Sequence, residues 1–130
     1  MVNVAELEKI CKEVMDLDPQ MRSARIINSR GHLEAGGMKE GLKSLEEQKQ
    51  DEMMFMELAL RVRMRHEFDA EFGQVHFSMS YRDKVIIMSF PLANDDVLLV
   101  SGEKGIDFGS IPFKILEKIT HLRKTGSRTF

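Results

Sequence analysis

A single cysteine in 130 residues removes two large classes of small protein at once. Cys11 has no second thiol with which to close a disulfide, and one thiolate cannot build a metal cage. No apolar run approaches the ~20 residues that a membrane-spanning helix requires. The opening stretch MVNVAELEK lacks the apolar core of a secretory signal, so the expected compartment is the cytoplasm. An excess of one sign of charge is missing as well. Nineteen Lys and Arg stand against twenty-one Asp and Glu, a net charge of −2, which argues against nucleic acid or an anionic membrane as partner.

Motifs that would carry chemistry are also missing. The histidines at 32, 66, 76 and 121 include no pair at the i, i+4 spacing of a zinc-binding helix. His32 and His76 fall on strands and read as surface residues rather than as metal ligands. Gly36-Gly37-Met38-Lys39-Glu40-Gly41 superficially resembles a phosphate loop, but no Ser or Thr follows its lysine, and it reads as a flexible exit from a hairpin. Neither a Gly-x-Ser-x-Gly elbow nor an EF-hand loop occurs. Cys11 lies on an apolar helix face, where a small core residue is the simplest reading. The expectation is a protein with no catalytic residues, no cofactor and no metal.

What is present is the composition of one soluble domain, 42% hydrophobic and 31% charged. The domain is expected over residues 1–123, with 124–130 a flexible tail. Asn3 followed by Glu6 resembles a capping box, and Val4, Leu7, Ile10 or Cys11, and Val14 recur at helical spacing, giving a first helix over about 4–16. A hairpin follows over 21–38. Ile26 and Ile27 lead into Asn28-Ser29-Arg30-Gly31, the residue order of a type I turn with a glycine bulge. His32 to Ala35 returns as a second strand, and Gly36 and Gly37 then release the chain.

The segment from about 46 to 69 holds no proline or glycine and follows a helical period. Placed every 100° around an axis, its apolar residues fall on two opposite sides. Phe55, Leu58, Ala59 and Val62 form one stripe; Met53, Met56, Leu60 and Met64 form the other. Arg61 and Arg65 lie on one boundary and Arg63 on the other. Only one side of such a helix can face the sheet of a small domain, and the other would leave a patch that soluble monomers rarely tolerate. Methionine suits a surface that repacks against a partner.

Val75, Phe77, Met79 and Tyr81 alternate with polar residues, the period of a half-buried strand. Arg82-Asp83 turns the chain into Val85–Met88, Pro91 to Asp96 turns it again, and Val97–Val100 is a third strand. Ser110 caps a final helix with Ile111, Ile115, Leu116, Ile119 and Leu122 inward and Pro112 in its first turn. The order is α-β-β-α-β-β-β-α. Hairpin links imply a five-stranded antiparallel sheet, an α+β architecture with helices on both faces.

This order, the hairpin Ile26-Ile27-Asn28-Ser29-Arg30-Gly31-His32-Leu33 and the long middle helix resemble the roadblock/LC7 family, a profilin-like fold related in shape to longin domains. The stretches IINSRGHLEAGG, MMFMELALRVRMRHEFD and YRDKVIIMSFPL resemble a set of short archaeal proteins of unassigned function. The roadblock resemblance spans about residues 3–123 and brings no catalytic residues. It implies homodimerisation through the long helix, here 46–69, and the neighbouring edge strand, here 75–82. It also implies regulation or scaffolding of small GTPases.

Two function classes follow. The first is a non-enzymatic homodimeric interaction module, its interface drawn from Met53, Met56, Leu60, Met64, Arg61, Arg63, Phe77 and Met79. The alternative is a sensory domain of PAS or profilin-like shape, which requires an enclosed apolar pocket between sheet and helix.

Overall fold

The computed structural model describes residues 3–124; the tail expected over 124–130 lies, from residue 125 on, outside the described residues. Helix α1 (Val4–Met15) starts where Asn3 Oδ1 accepts the Glu6 amide at 2.9 Å, and it buries Ile10, Cys11 and Val14. Val4 remains exposed, so the buried stripe begins one turn later than the periodicity suggests.

Strands β1 (Met21–Ile27) and β2 (Leu33–Met38) form the expected hairpin. The Gly31 amide donates to the Asn28 carbonyl at 2.9 Å, Gly31 takes φ +81°, and the register slips between Ile26 and Ile27. Strand β2 outruns its expected end at Ala35. Gly36 and Gly37 are ladder residues, paired with Arg25 and Ala24, rather than an exit from the hairpin. The reason is a close approach that only glycine permits. Gly36 has φ +85°, and a Cβ there would lie 2.0 Å from the Ala24 carbonyl oxygen and 2.9 Å from Cys11 Sγ.

Helix α2 (Gln48–Arg65) opens with a capping box in which the Glu47 amide donates to Gln50 Oε1 at 2.9 Å. The helix expected to run unbroken to 69 is divided. A 3₁₀ turn (His66–Phe68) and a short helix α3 (Asp69–Phe72) complete it, and Gly73 at φ +81° ends it. Strands β3 (Ser78–Tyr81), β4 (Ile86–Pro91) and β5 (Val97–Gly102) follow. The strand expected from Val75 joins the ladder only at Ser78. Phe77 contributes its ring instead of its backbone, stacking on Phe90 and edge-on to Phe113.

The last helical segment is α4 (Ile111–Lys118) and α5 (Thr120–Arg123), separated at Ile119. Thr120 Oγ1 donates to the Leu116 and Glu117 carbonyls there, a local bond that competes with the helical ladder. Ser110 holds the N-cap position, but its hydroxyl donates to Asp107 Oδ2 and caps no helix amide.

The five strands form one antiparallel sheet in the order β2-β1-β5-β4-β3, with helices on both faces, as the element order implies. On the first face Ala24, Ile26, Met88, Phe90, Leu98 and Val100 pack with Val14, Ile111, Ile115 and Ile119 of α1, α4 and the residue after it. On the second, Ile27, Ile87, Val97 and Leu99 pack with Phe55, Leu58 and Val62 of α2. Among the described residues no helix is long and apolar enough to cross a membrane.

Adjacent glycines test this packing. Gly36→Ala should cost more than about 2 kcal/mol in denaturant unfolding, since both backbone angle and space oppose it. Gly37 has ordinary φ and open space around its Cβ direction, so Gly37→Ala should stay within about 0.5 kcal/mol of the parent.

Candidate interaction surface on the middle helix

Helix α2 has the two-sided character read from its spacing. Phe55, Leu58, Ala59 and Val62 are buried against the sheet, while Met53, Met56, Leu60 and Met64 are 51–65% exposed on the opposite side. The stripe does not stop at Met64. Phe68 is 55% exposed and Phe72 is 83% exposed, and their rings stack with centroids 6.0 Å apart. Sequence reasoning missed this pair, although the four-residue step from Met56 through Leu60 and Met64 continues to Phe68 and Phe72.

The arginines around this face are engaged within the chain. Arg61 pairs with Glu57, Arg63 donates to the Ser29 carbonyl in the β1–β2 turn, and Arg65 donates to Ser78 Oγ on β3 at 2.5 Å. Arg63 and Arg65 fasten α2 to the hairpin on one side and to the edge strand on the other. Phe77 and Met79 are not brought beside the methionines. Met79 pairs with Met88, whose side chain lies in the core of the first face, so the odd residues of β3 point away from α2 while Ser78 points toward it.

The entry to α2 rests on a buried charge. Arg25 of β1 lies under the helix, 3.4 Å from Asp51 and 3.6 Å from Glu46, with its guanidinium 5.1 Å from the centre of the Phe55 ring. Burial, and then a hydrogen bond shared with Glu46, raise the Asp51 carboxyl to about 6, whereas that same bond holds Glu46 below its ordinary range. The two carboxyls thus share a proton in mildly acidic solution, and Arg25 faces a net single negative charge. Cys11 is buried, its thiol raised to about 12 by desolvation and then by Glu8, which leaves it unreactive at neutral pH.

The far end of α2 is held by His66. Its Nδ1 lies 2.8 Å from Asp69 Oδ2 and its Nε2 lies 2.8 Å from Asp95 Oδ1. Two carboxylate acceptors require both ring nitrogens to donate, which is the imidazolium form, and these bonds, Asp69 first, raise the pKa above the usual histidine value. The clamp reaches the β4–β5 turn, where Asn94 and Asp95 both take positive φ.

Two spaces bear on ligand binding. Beneath the start of α2, beside Arg25, Glu46 and Leu99, a narrow cleft of about 30 Å³ has room for one water. An open groove of about 990 Å³ runs from Leu45 and Met53 to Tyr81 and Val85 at the same end of the helix.

The comparisons with known proteins agree with this fold. A Roadblock/LC7 domain from Streptomyces avermitilis superposes with TM-score 0.68 at 11% identity, over 89% of this chain and 93% of that one. MglB of Myxococcus xanthus gives 0.71 at 12%, over 95% and 96%. The gliding protein MglB of Thermus thermophilus gives 0.67 at 9%, over 92% and 84%. No curated protein matches the chain by sequence.

The His66 clamp has a pH signature. A raised folded-state pKa stabilises the fold below the unfolded value near 6.5, and that contribution is lost as pH rises through the folded pKa. Thermal melts should therefore show Tm falling between mildly acidic and alkaline pH, and His66→Gln should flatten that slope while lowering Tm most at the acidic end. By fold the chain is a roadblock-like domain, and by sequence, over residues 1–125, it belongs to DUF6659, a family of unknown function.

Proposed function

We propose that this protein is a non-enzymatic interaction module that pairs with a second copy of itself through the outer face of α2. The observation that carries this reading is the exposed stripe Met53, Met56, Leu60 and Met64 on a helix whose other side is already buried. A two-fold interface reuses one patch on both chains, so these four residues would form its centre. Arg61 would line the rim and set register more than affinity, whereas Arg63, turned to the Ser29 carbonyl, and Phe77 and Met79, which point to the other face of the sheet, would stand outside the centre of the interface. The similar fold of MglB supports the reading, since one MglB structure has a tetrameric arrangement.

The magnitudes are instructive. Burying a large apolar side chain contributes roughly 1.5–3 kcal/mol, less for one already partly covered. Four from each copy give on the order of 10 kcal/mol, against an association cost of about 4–15 kcal/mol. The stripe alone is near break-even.

The second step of the proposal is that the paired module regulates or scaffolds a small GTPase, as the roadblock resemblance implies. The sensory alternative is less favoured. It requires an enclosed apolar cavity between α2 and the sheet; Phe55, Leu58, Val62, Ile27 and Leu99 fill the centre of that layer, and the space of about 140 Å³ on its β3 side, beside Arg65, Ser78 and Ser89, opens at the surface.

Sedimentation tests the pairing. The parent protein should have twice its 15.0 kDa chain mass at micromolar concentration, and Leu60→Asp should reduce it to one chain, since an unpaired buried charge costs several kcal/mol. A parent protein already monomeric there would reject the reading. Small GTPases from the source cell, loaded with GDP or a GTP analogue, should be retained by the parent protein in a nucleotide-dependent way.

A further inference from the structure

The stacked pair Phe68 and Phe72 and the groove beside Leu45 lie at opposite ends of the same helix. We infer that in the self-paired protein the Phe68–Phe72 pair of each copy seats in the Leu45 groove of the other. The inference rests on the pairing proposed above and adds contacts that the methionine stripe does not supply.

Three observations lead to a second copy as the occupant. First, charge is divided along α2. Glu47, Glu52 and Glu57 outnumber Lys49 in its first half, with Asp51 turned inward to Arg25, and Arg61, Arg63 and Arg65 occupy its end. Two such helices side by side repel if parallel and attract if antiparallel, and antiparallel alignment also opposes their dipoles.

Second, Met56 and Met64 lie four residues to either side of Leu60. An antiparallel pairing centred there sets Met56 beside Met64 of the second copy and turns the Glu57–Arg61 edge of each copy toward that of the other. With a rise of 1.5 Å per residue in α2 and α3 and about 2 Å in the 3₁₀ turn between them, Phe72 lies about 18–20 Å along the chain from that centre and Gln48 about 18 Å in the opposite direction. Phe72 therefore reaches the level where α2 of the second copy begins. That is where its groove opens, walled by Leu45, Met53, Met54, Val85 and Ile87, with Arg82, Asp83 and Lys84 at its edge.

Third, size and need agree. The groove, about 990 Å³ and open, is large enough for two phenyl rings. A phenylalanine 83% exposed and stacked only on another exposed phenylalanine has apolar surface to bury. Seating both pairs brings four aromatic rings into an interface that the methionines alone leave near break-even, and aromatic side chains dominate interface energetics.

Cross-linking tests this directly. Leu45 and Phe72 stand beyond opposite ends of an 18-residue helix, so cysteines at both positions cannot bridge within one chain. Buried Cys11 is no competitor. Under mild oxidation Leu45→Cys/Phe72→Cys should give a covalent dimer, as should Leu60→Cys alone, and neither Leu45→Cys nor Phe72→Cys should do so singly. Phe68→Ala/Phe72→Ala changes only exposed side chains and should weaken dimerisation on the order of thirtyfold, measured by sedimentation equilibrium. If Leu60→Cys cross-links but the 45/72 pair does not, or if the double alanine variant dimerises like the parent, the seating is overturned while self-pairing stands. A monomeric parent overturns both.

Discussion

The constraint behind this structure is a sheet that has to be covered on both faces by a short chain. All seven residues of β1 are buried, and so are most of β4 and β5. The first face takes α1, α4 and α5 and is almost wholly apolar. The second has only α2, whose inward stripe reaches Ile27, Val97 and Leu99 but not the rest. Beyond its reach the strands carry polar side chains with partners of their own. Ser23 and Ser101 are 2.5 Å apart, Arg22 donates to Glu103 at 2.9 Å, and Arg25 lies within ion-pair range of Glu46 and Asp51, although Arg25 Nε and Asp51 Oδ1 make no hydrogen bond. A buried polar group needs such a partner, and a buried charge needs it most.

That division explains why Arg25 is where it is. The loop before α2 brings Glu46 over β1, the first turn of the helix adds Asp51, and the Phe55 ring closes the guanidinium from a third side. Such a triad is not a strong source of net stability, because desolvation offsets most of the Coulombic gain. What it does is fix position. With Arg25 at one end and the His66 clamp at the other, α2 cannot roll about its axis, so the methionine stripe is held outward as a defined surface.

Much of this was legible in the sequence because it follows from local rules. The Asn3 cap, the Asn28–Gly31 turn and the two stripes of α2 depend on spacing and on residue type alone. What escaped depends on contacts between distant segments. Gly36 and Gly37 look like a chain exit until Ala24 and Cys11 are set against them. Phe77 alternates as a strand residue but is claimed by Phe90 and Phe113. His66 could not be matched with Asp95, 29 positions away, before the β4–β5 turn was placed. The outward path of Phe68 and Phe72 is different: the step of four is visible in the sequence and Phe68 lies inside the expected helix, but Phe72 lies beyond its expected end at 69.

The orientation of the arginines sharpens how the outer face of α2 can work. Arg63 and Arg65 are turned to the hairpin and the edge strand, leaving Arg61 and Glu57 as the charged pair nearest the methionines. An exposed pair of this kind adds little to stability in the single chain. It can also exchange partners at small cost, because Glu57 and Arg61 would find equivalent charges on an antiparallel second copy. The apolar stripe then supplies the affinity and the divided charge of α2 the direction. A helix that were only greasy on its outer side would associate in any orientation, whereas this one has a reason to choose one.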